Sequence, residues 1–216
     1  MLLGHYGAAL AAKAAAPSVP LPALMLGTQL IDVVWALLLL AGVERVRIQP
    51  GYSAASPLVL EYFPYSHSLP AALLISALGA GALAVLEPGL STGALGVAAA
   101  LIFSHWALDW LVHQPDLPLW GDRHKVGLGL WSNKPVSVAL EFGLFAIGAA
   151  LFLGGLSAEA LAAAWLPLTV VLGGLAALQA YAFMGPPPGS PRELALTALA
   201  VFALATLGGA WIEAAL

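Results

Sequence analysis

His105, Asp109 and His113 stand four residues apart in the stretch Ser104-His-Trp-Ala-Leu-Asp-Trp-Leu-Val-His113, at the end of an apolar run long enough to cross a membrane. Each step of four along an α-helix turns the direction by about 40°, so the three side chains share a stripe of roughly 80° over about 12 Å of axis. An ionisable group inside a bilayer costs at least about 2.5 to 3.5 kcal/mol on insertion scales, so three on one face need partners, water or a metal ion. The pattern predicts a polar site inside a helix bundle.

Other titratable residues can join that stripe. Asp32, in Thr28-Gln-Leu-Ile-Asp32, falls at the middle of an apolar window; it reads as a metal or proton site, or as a protonated packing residue. His67, in Tyr65-Ser-His67-Ser-Leu69, precedes another window, with Ser66 or Ser68 as a helix cap ahead of Pro70. His5 lies near the start of the chain. Together His5, Asp32, His67, His105 and Asp109 make a nitrogen and oxygen ligand set suited to zinc, manganese or iron. Five candidates allow one ion with a general base, or two ions. His113, two turns beyond His105, reads as an outer-sphere or second-metal residue and, with Asp32 and Asp109, as a catalytic candidate. His124, between Arg123 and Lys125, reads as solvated or substrate-facing.

The elements that must position these groups follow from composition. With 61% hydrophobic residues, 8% charged residues and a mean hydropathy of +0.94, the chain is expected to be an all-α, polytopic integral membrane helix bundle. Apolar windows near residues 21–41, 69–87, 92–113, 135–155, 160–184 and 193–214 predict six transmembrane helices. The Ala-rich first 16 residues make a seventh if they form a further helix, lying at the interface or re-entering the bundle. The start lacks a basic segment ahead of its apolar residues, so a cleaved signal peptide is not expected. No cysteine is present, which excludes disulfides and thiolate ligands. The net charge of −4 is scattered and suggests no nucleic-acid partner. No internal repeat appears: residues 1–216 read as one domain, with the metal-site portion in 1–159 and structural helices in 160–216.

Arg45, Arg47, Arg123, Lys125, Lys134 and Arg192 fall on one side of an up-and-down bundle, while Lys13 falls on the other. The positive-inside rule then places the long connections, 42–68 and 114–134, in the cytoplasm. The first five of these cations are also candidates for holding an anionic substrate head group, a reading of equal weight with plain topology signalling. Lys125-Val-Gly-Leu-Gly-Leu lacks the length and spacing of a phosphate-binding glycine loop.

The run of His5, Asp32, Tyr65-Ser-His67-Ser-Leu69, Ser104-His105 through Asp109 to His113-Gln-Pro-Asp116, and Lys125-Val-Gly-Leu-Gly-Leu-Trp131 resembles an uncharacterised family of small bacterial membrane proteins, whose members carry the labels hypothetical protein or permease. The resemblance covers about residues 1–150. More distantly, the order His, Asp, His-Ser, His-x-x-x-Asp resembles the bacterial membrane-bound metal-dependent hydrolases and the zinc-dependent phospholipase C fold. The latter resemblance implies that His5, Asp32, His67, His105 and Asp109 carry metal. The chain departs from the phospholipase C pattern in two places: His113 is followed by Leu117 rather than Asp, and Met1 stands where that pattern has a tryptophan ligand. One or two ions, most simply zinc, are therefore expected rather than a three-zinc cluster.

These readings lead to one expected function and two rivals. The expected function is a bacterial inner-membrane, metal-dependent hydrolase of a phosphate ester or other lipid-soluble ester, with the bilayer and an anionic or lipid ester as its partners. The first rival is a proton- or cation-coupled carrier using Asp32, His105 and Asp109 as a relay. The second is a non-enzymatic scaffold with a structural metal. Glu61, Glu141 and Asp116 can serve any of the three.

Overall fold

Inside a bilayer each backbone N–H and C=O must be paired within the protein, so apolar windows of this length resolve into helices. The computed structural model describes residues 1–216. In chain order the first part comprises α1 (Leu3–Ala15), α2 (Leu21–Gly27), α3 (Leu30–Leu40), β1 (Arg45–Ile48), β2 (Leu58–Tyr62), α4 (Pro64–His67), α5 (Leu69–Leu86) and α6 (Thr92–Val112). It continues through β3 (Leu117–Trp120), β4 (Arg123–Val126), α7 (Lys134–Gly154), α8 (Ala158–Ala163), α9 (Trp165–Met184) and α10 (Pro191–Ala215). The chain is an all-α bundle. Helices α5, α6, α7, α9 and α10 are each long and apolar enough to cross a membrane, and α2 with α3 makes a sixth span bent by 52°. Ser68, Ser91, Asn133 and Ser190 cap four of the long helices by accepting from the N–H three residues on. Large apolar side chains face outward, Val85 being 80% exposed, as suits a surface in contact with lipid tails.

The N-terminal segment enters the bundle. Leu3, Tyr6 and Leu10 of α1 are fully buried and form a core with Leu24, Phe145 and Leu168. Glycine decides how close α1 comes to α7: a Cβ on Gly148 would run into the Gly7 carbonyl, and one on Gly7 into the Leu144 backbone. The open N–H groups at the start of α1 are satisfied by side chains of other helices. Glu141 accepts from Gly4 N at 2.8 Å and from Leu2 N at 3.3 Å, and Gln179 Oε1 accepts from Leu3 N at 3.2 Å. At the far end Lys13 Nζ pairs with Glu213 at 2.6 Å and donates to the carbonyls of Pro17 and Val19.

The two long connections fold into antiparallel hairpins, β1 with β2 and β3 with β4. Val46 and Leu60 face inward while Arg45, Arg47 and Glu61 face out, the two-residue alternation of a half-buried strand. Gly121, at a φ of 52°, makes the tight turn between β3 and β4. Ala55 N–H donates to the Trp131 carbonyl at 3.0 Å, joining both connections at one end of the bundle.

Candidate metal centre

Four separate segments deliver the candidate ligands. His5 comes from the first turns of α1, Asp32 from the first turn of α3, His67 from the end of α4, and His105 and Asp109 from α6. Asp32, read from the sequence as mid-span, stands just beyond the break between α2 and α3, where a helix N-terminus favours a carboxylate. His5, His105, Asp109 and His67 are buried, while the Asp32 side chain is 20% exposed.

These side chains form two overlapping groups able to hold a metal ion: His5, His105 and Asp109, and Asp32, His67 and His105, with the ligand atoms of each within 4.8 Å of one another. At the centre nitrogen and oxygen alternate around a ring. His67 Nε2 lies 3.3 Å from Asp32 Oδ1, which lies 3.6 Å from His105 Nε2. His105 Nε2 is 3.2 Å from Asp109 Oδ2, which is 3.7 Å from His67 Nε2. A tetrahedral zinc site with bonds of about 2.0 to 2.2 Å has ligand-to-ligand edges of about 3.3 to 3.6 Å. Four edges of the ring are of about this length, and the group of Asp32, His67 and His105 has the span of three ligands around one ion. Asp109 turns its other oxygen, Oδ1, toward His5 Nε2 at 3.1 Å and the Met1 nitrogen at 2.7 Å. The His5 ring stacks on that of His105 with centroids 3.9 Å apart.

The opposite nitrogens of three histidines are engaged. His105 Nδ1 meets the Thr28 carbonyl at 2.7 Å, His113 Nδ1 meets Asp116 Oδ1 at 3.0 Å, and His67 Nδ1 meets Ser66 Oγ at 2.7 Å. A carbonyl and a carboxylate can only accept, so His105 and His113 each carry a proton on Nδ1, and in the neutral ring the lone pair is on Nε2, which faces inward. Buried His105 Nε2 has no hydrogen-bond partner in the protein. With His105 neutral, its Nε2 lone pair faces the carboxylate oxygens of Asp32 and Asp109, an arrangement that a cation stabilises. Glu44, missed in the sequence, accepts from Ser66 Oγ at 2.6 Å and from the backbone N–H groups of Tyr65 and Ser66. Burial pushes its carboxyl above the ordinary carboxylate range, and those donors hold it back.

A cavity of about 580 Å³ opens onto the ring, with Asp32, His67, Asp109, His113 and Glu141 among its lining residues. Trp131, Phe183, Pro187 and Phe202 contribute to its walls, so α10 and the end of α9, expected only as structural, bound it too. The predicted substrate-binding cations Arg45, Arg47, Arg123, Lys125 and Lys134 are not among its lining residues. Arg47 pairs with Glu61 at 3.0 Å, Lys125 with Asp122 at 2.8 Å, Arg45 lies over the Tyr62 ring, and Lys134 Nζ donates to the Phe183 carbonyl. His113 joins the cluster with Nε2 3.6 Å from Asp109 Oδ2, while His124 is exposed on β4. Of the residues overlooked in the sequence, Glu44 carried a weak signal, an acid just past an apolar window; the Thr28 carbonyl carried none.

Comparison of the chain with protein-family models, with curated proteins and with solved structures finds no match.

Proposed function

We propose that this chain is a membrane-embedded, metal-dependent hydrolase of a phosphate ester or another lipid-soluble ester, with zinc as the simplest occupant of its His/Asp ring. The observation that carries this reading is the alternating ring of Asp32, His67, His105 and Asp109, with edges of 3.2 to 3.7 Å, opening onto a cavity. Asp32, His67 and His105 would hold the first ion and leave its fourth position open to water; His5, with Asp109, offers a place for another. A bound zinc supplies Lewis acidity toward the scissile oxygen and lowers the pKa of water toward about 7.

The chain's own groups divide the remaining work. Asp109 has both oxygens engaged and is 2% exposed, so it anchors. Asp32 faces the cavity and is the carboxylate placed to accept a proton from water. His113, steadied by Asp116 on the cavity wall, is placed to pass a proton to or from the leaving oxygen. The apolar walls suit the hydrocarbon part of a lipid-soluble ester. The excess of Arg and Lys on the side of the long connections favours a place in the bacterial inner membrane with those connections in the cytoplasm.

A second reading, a cation- or proton-coupled carrier, is favoured by one observation, the span broken at Thr28 and Gln29 beside the charged cluster. Plasma mass spectrometry on detergent-purified protein separates the two, run beside assays of nitrophenyl phosphate and nitrophenyl ester turnover. Stoichiometric zinc, manganese or iron lost in both His105→Ala and Asp109→Ala, with turnover in detergent, is the expected result. No metal in wild type and none taken up on addition would overturn the hydrolase and leave the carrier.

A further inference from the structure

Glu44 is an acid without a cation. It lies between α3 and β1, is 1% exposed, and has only hydrogen-bond donors around its carboxylate: Tyr65 N at 2.8 Å and Ser66 N at 3.0 Å on Oε1, and the Ser66 hydroxyl at 2.6 Å on Oε2. Burying a carboxylate without a counter-charge is costly, so the position asks what the charge does. The chain of contacts continues from Ser66 Oγ to His67 Nδ1 at 2.7 Å, and from His67 Nε2 to Asp32 Oδ1 at 3.3 Å.

We propose that Glu44 is a positioning residue that sets the tautomer of His67 through Ser66, and so decides whether His67 can serve the ring. A hydroxyl has one proton to donate and lone pairs that accept; an ionised carboxylate only accepts. With its proton committed to Glu44, Ser66 turns a lone pair toward His67 Nδ1. Nδ1 then carries the ring proton, and Nε2 shows its lone pair to the centre. His105 and His113 need no such third residue, because the Thr28 carbonyl and Asp116 are acceptors by nature. His67 alone of the three leans on a group that can point either way, and Glu44 removes the choice. The consequence for metal binding rests on the ring's being a metal site; the tautomer itself does not.

The variant that tests this is Glu44→Gln. Its amide oxygen can keep the bonds from Tyr65 N and Ser66 N, which hold α4, while its NH₂ replaces Oε2. That NH₂ donates to Ser66, which turns its own proton onto His67 Nδ1 and drives the ring proton to Nε2. The full chain is labelled with ¹⁵N-histidine in detergent and stripped of metal, with the His67 signals assigned by His67→Gln. Expected are Nδ1–H in wild type, Nε2–H in Glu44→Gln, and a zinc affinity lower by about 10- to 100-fold in the variant. Ser66→Ala in the Glu44→Gln background should recover part of that loss, since the inverted hydroxyl is gone. A merely structural Glu44 would lower the melting temperature and leave the tautomer alone. An Nδ1–H tautomer retained in Glu44→Gln overturns the proposal, as does a double variant that binds zinc no better than Glu44→Gln. If wild type takes up no zinc, the metal-site reading fails, yet the tautomers of wild type and Glu44→Gln still decide the role of Glu44.

Discussion

Thr28 holds both stacked histidines: its carbonyl meets His105 Nδ1 at 2.7 Å, and its hydroxyl donates to the His5 carbonyl at 2.8 Å. It sits at the break between α2 and α3, fully buried, where irregular backbone is tolerated because protein surrounds it. Thr28→Val keeps the backbone contact to His105 and removes the bond to α1. The expected outcome is retained metal stoichiometry with a stability loss of about 1 to 2 kcal/mol, read by thermal unfolding in detergent.

Metal removal should weaken the whole bundle, since the ring draws on α3, α4 and α6. A ligand at one hundred times its Kd adds about 2.7 kcal/mol to folded stability. Chelation is expected to lower the unfolding temperature of wild type, and zinc to restore it. In His105→Ala and Asp109→Ala neither treatment should move the transition.

Gly148→Leu tests the seat of α1. Its side chain has no room against the Gly7 carbonyl, so α1 must shift and carry His5 with it. Overpacking of this kind costs about 1 to 3 kcal/mol or more. The variant should lose thermal stability and, if it folds, bind zinc more weakly than wild type. Gly81, with open space around it, is the control: Gly81→Leu should leave zinc binding unchanged.

Gln179→Leu removes the acceptor for Leu3 N from a position only 4% exposed. An unsatisfied buried N–H costs about 1 to 3 kcal/mol. The melting temperature should fall while metal content stays at the wild-type ratio. Loss of metal would show that the first turn of α1 controls the ring more tightly than its hydrogen bonds suggest.

Replacing Arg45, Arg47, Arg123 and Lys125 together by Gln tests whether loop cations hold an anionic substrate. Since none of them lines the cavity, KM for nitrophenyl phosphate is expected to stay within about twofold of wild type, a difference of about 0.4 kcal/mol. A rise of tenfold or more would return them to the substrate site.

The sequence by itself determined the class, the helices and the ligand candidates. Each is a local property: apolar windows of membrane length mark helices, Ser68 ahead of Pro70 marks a helix start, and His105-x-x-x-Asp109 places two ligating groups on one face. The rarity of ionisable groups within those windows singled out Asp32 without knowledge of its neighbours. Tertiary structure alone decided that α1 enters the bundle, that the first span breaks at Thr28 and Gln29, and that the long connections form hairpins. It also decided which nitrogen of His105 faces inward and that Glu44 stands behind Ser66. Those outcomes depend on contacts between residues far apart in the chain, such as Gly7 with Gly148 or Thr28 with His105. A backbone carbonyl is the same group at each position of the sequence; only packing gives one of them a histidine to hold.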